Sequence, residues 1–293
     1  MESMNLKTLE QTFTVIGPAR LTLVNIVGSI DIQPGDEGLI QVRAVKHSGA
    51  GDADRTQIEM TQAEDGAVTV ATRYRDRSGE RLLHRRQPCR VNYTVRIPRT
   101  TTLKVEGVTG PISVEGLVGQ FDIRTVEGPL HMKDLSGALH VQTVSGQVVG
   151  ARLQVTERLR LQTVSGDVHL SESTLPAVEG SAVSGNLILH SSLADGPYAF
   201  QTVSGDVRLV VPPTSGCSVE IHSLSGRLRS ALPVTRRVVD RGAWRADVQG
   251  GGPEVRLHTV SGNLDILLSE QDAATGAADV SPTSTIPIPP SRP

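Results

Sequence analysis

The chain has 293 residues, 38% of them hydrophobic and only 2% aromatic, with a formal net charge of −2 at pH 7. That length supports one large or two modest domains with a sizeable core, and the near-neutral charge excludes a global field that would recruit nucleic acid or acidic lipid. With so few rings, Val, Leu and Ile must carry the burial, which suits flat stacked strands better than the irregular interior of a compact enzyme.

In chain order, the opening Met1-Glu2-Ser3-Met4-Asn5 lacks a basic segment followed by an apolar run, and no stretch of about 18 apolar residues occurs anywhere. No signal peptide or transmembrane segment is visible, so the expected location is cytoplasmic or peripheral to the membrane. Residues 12–100 show strand alternation, in Leu21/Leu23, Ile30/Ile32, Ile58/Met60 and the run from Val91 to Ile97. Residues 1–100 are therefore read as a β-rich N-terminal portion that leads into residues 101–268 and caps them. Inside this portion Arg73, Arg75, Arg77, Arg81, Arg85, Arg86 and Arg90 place seven arginines within 18 residues, against Asp76 and Glu80. Such a stretch reads either as a solvated loop joining two strands or as a contact for an anion, an acidic lipid or nucleic acid. Only Tyr74 and Tyr93 interleave with it, which argues against single-stranded nucleic acid.

From residue 101 the sequence repeats. Thr143-Val144-Ser145-Gly146, Thr163-Val164-Ser165-Gly166, Ala182-Val183-Ser184-Gly185, Thr202-Val203-Ser204-Gly205, Ser223-Leu224-Ser225-Gly226 and Thr259-Val260-Ser261-Gly262 are one motif, with weaker copies ending at Gly28, Gly110 and Gly128. Successive glycines from Gly110 to Gly226 are 18, 18, 20, 19, 20 and 21 residues apart, and then 36 to Gly262. Half-repeats at Gly119 and Gly137 give a sub-period of 9. Two residues before each glycine stand Val108, Val126, Val144, Val164, Val183, Val203, Leu224 and Val260; two residues after it stand Ile112, Leu130, Val148, Val168, Leu187, Val207, Leu228 and Leu264. Both columns are aliphatic throughout. Four residues after the glycine the side chain is usually apolar again, with Gly150 and Ser230 as exceptions, so the segment leaving the motif alternates as a strand.

The motif is read as a corner between two strands, with Gly110, Gly128, Gly146, Gly166, Gly185, Gly205, Gly226 and Gly262 expected at positive φ. The Ser and Thr columns suit outward or corner-facing hydrogen-bond ladders. A period of 18–21 residues then predicts an all-β fold, a parallel β-helix or solenoid over residues 101–268, each coil burying its apolar side against its neighbours. Stacked antiparallel sheets would need Asn-Gly hairpin turns between strands, and the repeat has none. Stacking also aligns Gln147, Asp167, Asn186, Asp206 and Arg227, which keeps like charges from direct contact. The 36-residue interval, with Arg236-Arg237, Trp244 and Gly250-Gly251-Gly252, suggests a hairpin or loop before the last coil. Residues 269–293, rich in Ala, Asp, Ser, Thr and Pro, read as a disordered tail.

Ile97-Pro98, then Val108-Thr109-Gly110-Pro111-Ile112 and the train of Thr-Val-Ser-Gly-Asp-Val copies, resemble the bacterial putative-adhesin family over residues 12–268. That resemblance implies a β-helix, a domain of unknown function and, from the company its members keep, an association with cell-envelope stress.

Parallel β-helices also include carbohydrate-active enzymes. Asp167 and Asp206, two coils apart, would be about 9.6 Å from each other, a spacing open to an inverting carboxylate pair. The scarcity of aromatics argues against a glycan cleft. His131, His140 and His169 share a position three residues after a glycine but belong to different half-coils, and Cys89 and Cys217 stand outside ligand spacing. No metal, cofactor or catalytic residue is therefore expected. The sequence thus predicts a non-enzymatic scaffold whose faces meet a protein, an envelope component or another copy of the chain, with a carbohydrate-active enzyme as the alternative and anion or acidic-lipid binding through residues 73–90 as a second.

Overall fold

The computed structural model describes residues 6–47, 53–75, 87–240, 243–269 and 284–287. Every regular element among them is a β-strand, and the chain forms two compact units, Met1–Leu135 and Ser136–Pro293. It is a β-solenoid in which each coil gives one strand to each of two facing sheets.

The first unit contains β1 (Leu6–Thr14), β2 (Ala19–Val27), β3 (Ile30–Pro34), β4 (Leu39–His47), β5 (Thr56–Gln62), β6 (Val68–Tyr74), β7 (Arg90–Ile97), β8 (Thr100–Thr109), β9 (Ile112–Glu115), β10 (Val118–Glu127) and β11 (Leu130–Lys133). Within it the sheet orders are β1-β4-β7-β3-β9-β11 and β5-β6-β2-β8-β10. The weak repeat ending at Gly28 is a complete coil: β2 and β3 lie parallel on β8 and β9, with Leu21 opposite Leu103 and Ile30 opposite Ile112. The coil formed by β6 and β7 lies on the other side, Leu21 facing Val68 and Ile30 facing Tyr93. Beyond it β5 and β4 pair antiparallel, and β1 pairs with β4. These antiparallel strands end the parallel stack on this side, and β1 and β5 become the edge strands of the two sheets.

Alternation fills the interior. Leu21, Leu23, Ile30, Ile32, Leu103, Val105, Ile112 and Val114 are all at most 1% exposed, and each such side chain contributes about 1.5–3 kcal/mol relative to leaving it in water. One group of buried polar side chains is mutually satisfied: Asn25 donates to the Gly28 and Val91 carbonyls and accepts from Thr72, whose hydroxyl also bonds the Tyr93 hydroxyl.

The second unit contains β12 (Ser136–Ser145), β13 (Val148–Ala151), β14 (Gln154–Thr163), β15 (Val168–Ser171), β16 (Val178–Ala182), β17 (Leu187–His190), β18 (Tyr198–Thr202), β19 (Val207–Val211), β20 (Cys217–Ser223), β21 (Arg227–Ser230), β22 (Val234–Asp240), β23 (Ala243–Val248), β24 (Glu254–Thr259), β25 (Leu264–Leu268) and β26 (Ser284–Pro287). Its sheets run β12-β14-β16-β18-β24-β20-β23-β22 and β13-β15-β17-β19-β25-β21-β26. Chain order and spatial order diverge at the end. The last repeat in sequence, β24 and β25, slots between the two that precede it: Val255 pairs with Tyr198 on one side and Val219 on the other, and Leu264 with Val207 and Leu228. Much of the 36-residue interval is the antiparallel hairpin β22–β23, which covers the edge of β20. Within the stretch read as a disordered tail, β26 pairs antiparallel with β21. The edge of this sheet is therefore β26, an antiparallel four-residue strand, in place of β21.

Candidate interaction face

The corner motif sorts its four residues by direction. In the coil that runs through β12, Leu139, Val141 and Thr143 are buried at alternate positions, so Val144, next after Thr143, points out. The Thr column is inside: Thr125, Thr143, Thr163, Thr202 and Thr259 are all buried, so of the outward or corner-facing ladder expected of it the outward form is corrected, while Thr163, Thr202 and Thr259 do bond at the corner. The Thr163 hydroxyl accepts the Gly166 N–H at 2.9 Å and donates to the Gly166 carbonyl at 3.2 Å, and Thr259 accepts from Gly262 at 2.8 Å. In effect the side chain closes the corner.

This closure changes what the glycine is for. In the first unit Gly110 and Gly128 have φ of +136° and +125°, as expected, and the Gly110 N–H joins the coil-to-coil ladder through the Glu127 carbonyl. Gly146, Gly166, Gly185, Gly205, Gly226 and Gly262 lie outside the left-handed region, contrary to expectation. What requires glycine there is proximity: a Cβ on Gly166, Gly185 or Gly205 would sit 2.1 Å from the carbonyl oxygen of the glycine one coil earlier.

The Val column is the opposite of the Thr column. In the second unit Val144, Val164, Val183, Val203, Val260 and Leu224 are 44–58% exposed. They form one row, because the N–H of Ser165, Ser184, Ser204, Ser261 and Ser225 donates to the carbonyl of Val144, Val164, Val183, Val203 and Val260 respectively, at 2.9–3.0 Å. Successive rungs are therefore about 4.8 Å apart and the ridge about 24 Å long. Val108 and Val126 in the first unit are exposed in the same way. The serine hydroxyls beside the ridge fold back onto the same carbonyls, as with Ser165 onto Val144 at 3.3 Å and Ser184 onto Val164 at 3.4 Å. On the other flank Gln142 donates to Gln162 at 2.9 Å, and His222 stacks on His258 with ring centroids 4.6 Å apart. Further out the charges pair among themselves: Arg158 and Arg160 with Glu179, Arg256 with Glu254, Arg245 with Glu220. The Arg245 guanidinium hydrogen bond leads the causes that hold the Glu220 carboxyl below its usual range.

The Asp column is a ladder whose order differs from the one the sequence suggests. Asn186 donates to Asp167 through its backbone N–H (2.9 Å) and its amide (3.2 Å), the Asp206 N–H donates to the Asn186 side-chain oxygen (3.2 Å), and Asn263 donates twice to Asp206 at 2.9 Å. Asn263, brought in by the inserted coil, stands where Arg227 was expected. Alternating Asp and Asn thus gives each of the two carboxylates backbone and amide donors from the next coil.

Of the arginine-rich segment, Arg77, Arg81, Arg85 and Arg86 lie outside the described residues. Arg73 is on β6, paired with Glu59 at 3.2 Å; Arg75 follows β6, its N–H donating to the Arg55 carbonyl; Arg90 opens β7. On the shorter-strand sheet of the second unit a hollow of 820 Å³ is lined by residues that include His169, Glu172, His190 and Arg208. Its Arg208 is engaged by Asp265 at 3.4 Å, and His169 stacks on His190 with centroids 5.2 Å apart. Among the described residues no group of three or more His, Cys, Asp or Glu could hold a metal ion, and no helix is long and apolar enough to cross a membrane.

The Toastrack DUF4097 family model matches residues 21–267, from the coil of β2 to the inserted coil of β25. The chain belongs to the Toastrack DUF4097 family. Its Toastrack region thus takes in both aliphatic ridges and all the corner motifs. None of the curated proteins matches the sequence. Among solved structures, this Toastrack chain is similar to a putative cell adhesion protein from Clostridium sporogenes (13% identity, 90% of this chain and 100% of that one, TM-score 0.26). It is also similar to a putative adhesin from Bacteroides fragilis (11%, 90% and 97%, TM-score 0.42) and a putative lipid binding protein from Parabacteroides distasonis (11%, 90% and 97%, TM-score 0.39).

Proposed function

We propose that this Toastrack protein is a non-enzymatic, adhesin-type scaffold that binds at the cell envelope through the outward aliphatic ridge of its longer-strand sheet. The observation that carries the reading is the exposure of six consecutive aliphatic rungs in the second unit. Single exposed apolar residues are ordinary on a soluble protein, whereas a continuous row marks a surface that meets something. The repeat maintains this row at a position where Thr, Ser or Gln would fit the strand equally well, so nothing in the fold itself calls for Val there. The enzyme reading draws no comparable support, since Asp167 and Asp206 are each held by an Asn of the adjacent coil.

The test is co-sedimentation of the purified protein with bacterial envelope fractions, namely peptidoglycan sacculi and membrane vesicles. Binding to at least one fraction is expected, weakened about tenfold by combined Val164→Thr, Val183→Thr and Val203→Thr substitution and unchanged by Asp167→Asn with Asp206→Asn. Binding indifferent to the ridge, or glycan turnover lost with the two Asp residues, would overturn the proposal.

A further inference from the structure

The ridge has a shape that fits its own copy. Its rungs recur at one spacing because strand pairing sets it, so two ridges laid antiparallel about a two-fold axis match along their whole length, each Val entering the gap between two of its counterparts. Val144, Val164, Val183, Val203, Val260 and Leu224, at 44–58% exposure, present on the order of 400 Å² of continuous aliphatic surface, within the range of the largest patches that monomers show. A standard interface takes about 800 Å² from each partner. The ridge supplies roughly half of that, and the Ser and Gln columns on either side can supply the rest.

The flanks favour a second copy over other occupants. The serine hydroxyls are turned onto backbone carbonyls and Gln142 onto Gln162, so closing the face strips few unpaired polar groups of water. The charges beyond them form ion pairs within the chain, four arginines against three glutamates, which limits repulsion between identical faces and leaves little net charge to draw anionic headgroups. The columns beside the ridge hold no Trp, Tyr or Lys, the residues that seat a protein at a lipid interface. An extended peptide would look for a sheet edge, and this is a sheet face.

We infer that the ridge of the second unit is a homodimer interface, isologous and of modest affinity, through which two copies of the chain join face to face. The inference rests on the ridge being a binding surface, as proposed above, and makes a second copy the competitor of the envelope for that surface, so that the dimer is the form the chain takes when it is not bound there.

Sedimentation velocity of the full chain from about 1 µM to about 1 mM should show a reversible monomer–dimer equilibrium. Val164→Thr with Val203→Thr, isosteric and equally suited to a strand, should weaken dimerisation about tenfold with the thermal midpoint preserved, and Val183→Asp should abolish it. A chain that stays monomeric throughout, or a dimer indifferent to these substitutions, would overturn the inference. Monomeric chain whose envelope binding is still ridge-dependent would overturn the dimer alone and leave the proposed function standing. Ridge-dependent capture of phosphatidylcholine vesicles by monomeric chain would assign the face to lipid instead.

Discussion

Replacing Gly205 by Ala isolates the reason the corner needs glycine. The new Cβ would lie 2.1 Å from the Gly185 carbonyl oxygen and 3.0 Å from its carbon. Both are backbone atoms, so no side chain can swing aside; the two coils must separate by about 1 Å or the backbone must twist. Overpacking of this kind costs about 1–3 kcal/mol where side chains can adjust, and the upper end is the appropriate figure for a backbone obstacle. Separation would also stretch the Ser204 N–H bond to Val183, now 3.0 Å. Stiffening of the unfolded chain returns about 0.4–1 kcal/mol, which leaves a net loss of about 2–3 kcal/mol. Urea unfolding would read it as a lower midpoint at unchanged slope. Gly205→Asn separates the two possible causes, because Asn tolerates a left-handed backbone but still carries a Cβ. It should be at least as damaging as Ala. Gly17→Ala is the reference: with φ +82° and nothing within 4 Å of its Cβ, it should lose only the left-handed penalty of about 1–2 kcal/mol. A Gly205→Ala midpoint equal to that of the native chain, or rescue by Asn, would refute the close-approach argument.

Thr163→Val removes the hydroxyl that closes its corner and strands the buried Gly166 N–H, so a loss of about 1–3 kcal/mol is expected; Thr143→Val, whose hydroxyl is buried with no hydrogen-bond partner, should be neutral or stabilising in the same urea assay. Burial and then His222 lower the His258 pKa, against a smaller upward pull from Glu220, and burial and then His169 lower that of His190. The unfolded chain therefore takes up protons below the ordinary histidine value of 6.5 before the folded chain does, and stability falls as pH drops through that window. His190→Gln with His258→Gln should flatten the decline in thermal midpoint between about pH 7 and about pH 5. If residues 73–90 are an anion site, co-sedimentation with acidic vesicles should weaken steeply with salt and vanish when Arg75, Arg77, Arg85 and Arg86 are changed to Glu; no binding at low salt would dispose of that reading.

The repeat was legible because a solenoid writes its cross-section into the chain. The parallel registers offset by 18 residues between β8 and β10 and by 20 between β13 and β15 are the glycine spacings themselves. Coil order was not legible, since copies that share one apolar pattern can stack in any sequence. Only the weaknesses of the 217–230 copy hint that it is an end: Ser223 replaces Thr, and Ser230 replaces an aliphatic and turns its hydroxyl to Leu232. Gly150, the other exception, makes room for Leu153 and Leu170, whose methyl carbons lie 2.7 and 2.6 Å from where its Cβ would be. The ridge was within reach of a parity count, because Val144 has opposite parity to buried Leu139, Val141 and Thr143; aligning copies on glycine made the outward and inward aliphatic columns look alike. His222 and His258 both lie four residues before a glycine, and they meet only because the inserted coil brings β24 beside β20.

Native-state thiol labelling of a Val183→Cys chain tests most directly whether the valine ridge is an outward surface that becomes covered. Background is low, because Cys89 and Cys217 are buried and burial, with Asp247, pushes the Cys217 thiol up to about 12. The account predicts that Cys at position 183 reacts with a maleimide in dilute native protein about as fast as in urea, and is progressively protected as protein concentration rises. A thiol as silent in the dilute native chain as Cys217 would contradict it, by placing the valine column inside the coil.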